Sequence, residues 1–182
     1  MIKLENKIYI KIKENNSATL IYPDYNIKTK AYIGENGCTY NKKEGDGKTP
    51  LGEFSIGIAF GIHSKKEILK RMKINYTKIN KNMYWVDDSN SKYYNKLVDT
   101  SKIKINNIQG EHLIDFPIQY EYAIEIKTNP SSIPNFGSAI FLHCCSNKKY
   151  TRGCIAINRE VMEEIMCLID RNTKIAIKKS TI

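Results

Sequence analysis

Four stretches of this chain place apolar residues at every second position, and that period is what a half-buried β-strand needs, because successive side chains leave a strand on opposite faces. They are Ile8, Ile10 and Ile12; Ala18-Thr19-Leu20-Ile21-Tyr22; Ile27 to Ile33; and Glu53 to Phe60, which carries Phe54, Ile56, Ile58 and Phe60. Asn16-Ser17 and Pro23-Asp24 separate the first three and have the turn-forming side chains that join strands in a meander. A chain that opens this way is committed to a β-rich architecture.

Further along, Tyr120 to Ile126 and Ala139 to His143 read as two central strands, divided by the turn-forming run Asn129 to Gly137. Lys174 to Ile177 closes the chain as another strand. Two helices are predicted. One is a patch over Ser64 to Met72 with Ser64 as its cap and Ile68, Leu69 and Met72 on one face. The other starts at Asn158, a good N-cap, has Glu160 in its first turn, and runs an apolar stripe of Val161, Ile165, Leu168 and Ile169 through Asp170. Residues 73–118 are polar, rich in tyrosine and show neither period; such an insertion in a compact domain reads as a lid or substrate wall. The fold class is therefore mainly β (α+β) with a few helices.

A length of 182 residues supports one domain with a sizeable core, taken as residues 1–182, and 41% hydrophobic content is ordinary for a globular chain. No run of about 18 apolar residues exists to span a membrane. The start, Met1 to Ile10, alternates charged and apolar residues and lacks the continuous apolar stretch of a secretory signal. A net charge of +10 favours anionic partners such as a polyanionic wall polymer, a membrane surface or nucleic acid. The lysines are scattered, and no helix-turn-helix, zinc finger or aromatic ribonucleoprotein motif accompanies them, so no specific nucleic acid is expected.

The cysteines are five, an odd number with no framework spacing, so a monomer keeps at least one free. Cys38 and Cys167 read as small structural residues. The remaining three fall in Phe141-Leu142-His143-Cys144-Cys145 to Thr151-Arg152-Gly153-Cys154-Ile155, where a strand end carries His143 and a polar loop of ten residues leads to Cys154. Strand alternation sends His143 and Cys145 to one face and Leu142 and Cys144 to the other. A loop folding back sets the imidazole beside the thiol, where it takes the thiol proton and holds the thiolate down in pKa. The competing reading is zinc bound by His143, Cys144, Cys145 and Cys154, but adjacent residues rarely share one tetrahedral ion and there is no C-x2-C spacing. Cys144 then reads as packing and Cys145 as a cleft wall. His63 has no motif context and reads as surface.

The Thr151-Arg152-Gly153-Cys154-Ile155 segment downstream of His143 resembles the catalytic motif of the L,D-transpeptidases, the YkuD family, which pair a histidine with a Ser/Thr-x-Gly-Cys. A second patch, Asp46-Gly47-Lys48-Thr49-Pro50-Leu51-Gly52-Glu53-Phe54, is similar to the D-G-K-T-P-x-G-x-F signature of the same family, and the resemblance covers about Ala18 to Ile177. It implies a β-sandwich-like catalytic domain and an acyltransferase that forms peptidoglycan cross-links, with Cys154 as nucleophile, His143 as general base and acid, and the Gly153 and Cys154 backbone N–H groups as oxyanion donors. It also implies a backbone carbonyl as the third member beside the histidine, peptidoglycan stem peptides as substrate, and a place at the cell wall, outside the cytoplasm, in wall biogenesis and cell shape. No cofactor or metal is required, and the chain is expected to be a monomer. Arg152 is read as holding a substrate carboxylate and Thr151 as bracing the loop, with Trp85, Tyr94 and His112 as substrate wall. The chain departs from the family pattern at Arg152, where many members have a second histidine, and at Ala156, where many have Arg or Asn. Thiol hydrolysis (carboxypeptidase or endopeptidase) and non-enzymatic binding of anionic wall polymer stay open as alternatives.

Overall fold

A computed structural model describes residues 5–180 apart from 15 and 106; Met1 to Leu4, part of the start read above for a signal, lie outside the described residues. In chain order the elements are β1 (Lys7–Ile12), β2 (Ser17–Tyr22), β3 (Ile27–Tyr32), β4 (Cys38–Thr39), β5 (Thr49–Pro50), β6 (Gly52–Gly61), α1 (Lys66–Leu69), β7 (Tyr76–Lys78), β8 (Met83–Val86), β9 (Leu97–Asp99), β10 (Gly110–His112), β11 (Ala123–Ile126), β12 (Phe141–Cys144), β13 (Ile155–Ile157), α2 (Arg159–Leu168) and β14 (Lys174–Lys179). The main sheet has nine strands in the order β11-β12-β13-β3-β2-β1-β14-β6-β7, and β6 also pairs with β11. That extra pairing closes the eight strands from β11 to β6 on themselves and removes the open edge of β11, while β7 stays outside the ring on β6. The two halves of the closed sheet take the place of the two layers of a sandwich, so the mainly-β expectation holds.

The three opening strands form the expected meander β1-β2-β3, antiparallel, with Ile10 opposite Leu20 and Ala18 opposite Ala31. Its inward face, Ile8, Ile10, Ile12, Ala18, Leu20 and Tyr22, is buried in the main core. Helix α2 covers part of that core. Asn158 caps it by accepting from the Glu160 and Val161 N–H groups. The face it buries is Met162, Ile165, Met166 and Ile169, while Val161 and Leu168, assigned to the stripe from the sequence, are only half-buried. Each fully buried side chain of this size stabilises by about 1.5–3 kcal/mol. Cys167 packs into the same core and Cys38 lies against it. The helix predicted over Ser64 to Met72 shrinks to the single turn α1, preceded by Lys65 with no side-chain cap, so Ser64 does not start it. The strand predicted from Tyr120 starts only at Ala123, because Gln119–Glu121 turn as a 3-10 segment.

Within residues 73–118, β10, β8 and β9 form a separate antiparallel three-stranded sheet in that order. Its inner face carries Trp85, which stacks on Phe60 at 6.0 Å and meets the Phe141 ring edge-on at 4.8 Å. Phe60, Trp85, Leu113, Tyr120 and Phe141 make a second, aromatic core between the small sheet and the closed one. No helix among the described residues is long and apolar enough to cross a membrane.

Candidate active site

Strands β12 and β13 are parallel neighbours, Leu142 opposite Ile155 and His143 opposite Ala156, yet only the loop 145–154 joins them. A parallel connection has to carry the chain back to the starting end of the first strand. The residue just before β13, Cys154, therefore arrives level with Phe141, two places before His143. Two residues of strand span about 6.6 Å. On β12 the faces divide as the alternation requires, Leu142 and Cys144 facing the main core and Phe141 and His143 the aromatic one.

The return loop is held by the glycine-rich turn. Thr49 Oγ1 donates to the Gly153 carbonyl at 2.8 Å and accepts from the Gly34 N–H at 2.9 Å. A Cβ on Gly34 would stand 2.3 Å from the Gly47 carbonyl, so only glycine permits this approach. Asp46 organises the turn by accepting from the Lys43 and Lys48 N–H groups, both at 2.9 Å, and by pairing with Lys42. Burial pushes the Asp46 carboxyl up, but the Lys42 ammonium and these N–H groups outweigh it and hold it below its usual range. Gly153 itself has φ +135°, and a Cβ there would lie 3.0 Å from the Lys48 carbonyl. Thr151 braces the loop from within: its hydroxyl donates to the Cys154 carbonyl at 2.7 Å and accepts from the Gly153 N–H at 3.0 Å. The Gly153 N–H, expected to face an oxyanion, is thus already engaged. The Cys154 N–H makes no hydrogen bond among the described residues.

Cys154 is half-buried. Its thiol donates to the Ala139 carbonyl at 3.1 Å, and its sulfur accepts from the Phe141 N–H at 3.3 Å. Ala139 has φ +51°, a left-handed conformation that costs a non-glycine residue on the order of 1 kcal/mol or more. His143 is 6% exposed, and its Nδ1 lies 2.8 Å from the Cys144 carbonyl. A carbonyl only accepts, so Nδ1 carries the proton and Nε2 keeps its lone pair. Burial lowers the imidazole to about 4 against the small opposing effect of the Cys144 carbonyl. Burial, then the Glu111 charge, pushes the Cys154 thiol up to about 12, against the Phe141 N–H and Lys42. The resting pair is therefore neutral thiol and neutral imidazole. The sequence led us to expect a depressed thiolate; crowding by aromatic side chains, invisible in the motif, reverses that.

The structure distributes the other site residues unevenly. Arg152 is exposed on the loop, and its charge reaches Glu111. Trp85 is 2% exposed, with Nε1–H donating to Asn95 Oδ1 at 2.9 Å, so it is aromatic core and not an open substrate wall. Tyr94 is equally buried and donates its hydroxyl to Glu44. His112 stacks on Tyr84 at 4.3 Å, with Nδ1 3.0 Å from Asp115 Oδ2 and Nε2 2.8 Å from the Lys81 carbonyl. It follows Glu111 on β10 and so turns to the opposite face. His63 is exposed. Cys144 is buried, its thiol aimed at the Tyr122 carbonyl at 3.7 Å, and Cys145 is half-buried. Among the described residues no three His, Cys, Asp or Glu side chains are grouped to hold a metal. Sequence reasoning passed over Glu111, Tyr120 and Lys42. Tyr120 sets its ring 5.7 Å from that of His143, edge to face, and donates its hydroxyl to Glu111.

A cavity of about 830 Å³ is lined by Tyr40, Lys42, Glu44, Phe54, Asn129 and Phe136, with neither Cys154 nor His143 in its wall. Lys42 belongs to both regions: its Nζ lies 3.7 Å from where a Gly153 Cβ would sit.

Burial of neutral His143 has a stability consequence. The folded state resists a proton that the unfolded chain accepts at about 6.5, so stabilisation is complete above that pH and is lost as pH falls toward about 4, up to roughly 3 kcal/mol. Urea unfolding at pH 7 and pH 4.5 measures it. The midpoint is expected to drop on acidification, and by less in His143→Gln.

A family model of the L,D-transpeptidase catalytic domain (YkuD) matches residues 5–177 of the chain. No curated protein and no solved structure matches it.

Proposed function

The chain belongs to the L,D-transpeptidase catalytic-domain family, and on that premise we propose that it forms peptidoglycan cross-links through a thioester on Cys154. The family acts on peptidoglycan peptides and is generally associated with the cell wall. The observation that carries the reading is a thiol level with Phe141, two residues along β12 from a histidine whose Nδ1–H is fixed on the Cys144 carbonyl, leaving Nε2 as a base.

In the first half-reaction the donor is a stem tetrapeptide. The thiol turns from the Ala139 carbonyl toward His143, Nε2 takes its proton, and sulfur bonds to the carbonyl carbon of the third residue. The Cys154 N–H is the available donor for the oxyanion, and Gly153 joins it only if Thr151 lets its N–H go. The C–N bond then breaks, His143 returns the proton to the leaving nitrogen, and D-alanine departs. Arg152 holds its carboxylate. In the second half-reaction an amine of another stem attacks the thioester, the C–S bond breaks, and the thiol is restored. The small sheet β10-β8-β9 walls the site on the aromatic side, in one catalytic domain that acts as a monomer outside the cytoplasm.

Two features support a thiol that acts as a neutral nucleophile with a general base and not as a standing thiolate: the low pKa of His143 and the high one of Cys154. The test is product analysis of a stem tetrapeptide with and without a second amine-bearing stem. Release of D-alanine with a cross-linked dimer is expected. Tripeptide alone in both arms would replace transpeptidation by hydrolysis, and salt-sensitive polymer binding with no turnover would leave a binding module.

A further inference from the structure

Glu111 is half-buried; burial raises its carboxyl, the Tyr120 hydrogen bond and the Arg152 charge favour the carboxylate, and among the described residues no cation forms an ion pair with it. Its cross-strand partner on β8 is Trp85, and directly opposed residues share a face of their sheet. Trp85 meets Phe141 at 4.8 Å, and the Phe141 N–H touches the Cys154 sulfur at 3.3 Å. Glu111 therefore lies on the side of the small sheet that covers the sulfur. The Tyr120 hydroxyl donates to one carboxylate oxygen, and among the described residues the other has no hydrogen bond. No Lys, Arg or His ion pair reaches Glu111 among the described residues; Arg152 only attracts it from a distance. Buried charges are otherwise paired. Its effect on the Cys154 thiol is a separate sign that the two are neighbours.

We propose that Glu111 receives the ammonium group of the acceptor, so that the site selects a positively charged primary amine over water. The inference rests on the thioester chemistry and the amine acceptor proposed above and adds to them the residue that reads the acceptor's charge. The acceptor arrives as R–NH3+ against the open carboxylate oxygen. Glu111 takes one proton, and the free amine attacks the thioester carbon. The C–N bond forms, the C–S bond breaks, His143 Nε2 takes the second proton and passes it to the departing sulfur, and Glu111 gives its proton to water. Tyr120, hydrogen-bonded to Glu111 and edge-on to His143, keeps the two proton acceptors in fixed relation.

The experiment uses the thioester formed from a stem tetrapeptide, resolved with either an amine-bearing stem or hydroxylamine, which is a neutral nucleophile at pH 7. Glu111→Gln is expected to raise the KM for the charged amine about 10- to 100-fold, the range for losing a charge-assisted contact, and to leave the hydroxylamine reaction within a few-fold. Alkylation of Cys154 should become faster in the same variant, since a negative neighbour of the sulfur is gone. An unchanged KM for the charged amine, or equal loss toward both nucleophiles, overturns the proposal. If Glu111→Gln forms no thioester, Glu111→Asp takes its place: a raised KM for the amine alone supports the proposal, and parity between the acceptors overturns it. Wild type failing to form a thioester would remove the proposed function and this inference together, whereas a wild-type thioester with indifferent Glu111 variants removes only the latter.

Discussion

Cys154→Ala is expected to lower D-alanine release from a stem tetrapeptide by roughly 10⁴-fold or more, the scale on which a covalent nucleophile matters. The fold should survive, because among the described residues the sulfur makes two hydrogen bonds, one from the Phe141 N–H and one to the Ala139 carbonyl, and alanine keeps an apolar Cβ against the aromatic core. Losing them costs about 1–2 kcal/mol. The loop keeps its other ties, Thr49 to Gly153 and Thr151 to Cys154 through backbone carbonyls that alanine retains. Thermal unfolding beside the rate assay separates the two effects. A fall in rate that tracks a collapse in stability would make Cys154 structural.

The second large effect is His143→Ala, expected to slow acylation by about 10²- to 10⁴-fold, the usual contribution of a positioned base. Its pH dependence distinguishes two ways for a cysteine and a histidine to work. With the imidazole lowered to about 4 and the thiol raised to about 12, kcat/KM for the wild type should rise through pH 4 and then stay level past pH 9. A standing thiolate–imidazolium pair would instead give a bell with both limbs near neutrality. His143→Ala should lose the acid limb. A narrow bell for the wild type would contradict the neutral pair, even if Cys154 proved to be the nucleophile.

The sequence carried the parts of this molecule that repeat or cap. Alternating isoleucines announced β1 to β3 and β6, and Asn158 announced the start of α2. The short strands β8, β9 and β10 escaped notice because three or four residues are too few to display a period, and their order is set by Trp85 packing on Phe141 from far away in the chain. The α2 stripe was displaced toward Met162 and Met166 because unbranched methionines fill the core gap that valine and leucine were assigned. At the site, two motifs singled out Cys154 and His143 and implied a backbone carbonyl as third member; the carbonyl that His143 Nδ1 meets is that of Cys144. They could not place Glu111 on Tyr120, since that contact joins β10 to a 3-10 turn. Nor could they tell that the Gly153 N–H closes on Thr151, a choice made by loop geometry and not by residue type.

Central to the account is one reactive sulfur. Intact-mass measurement after mixing the protein with a β-lactam of the carbapenem class, which resembles the acyl donor for this family, tests it most directly. A single adduct that maps to Cys154 and is missing from Cys154→Ala is the predicted result. An adduct on Cys145, or none on a folded protein, would contradict it.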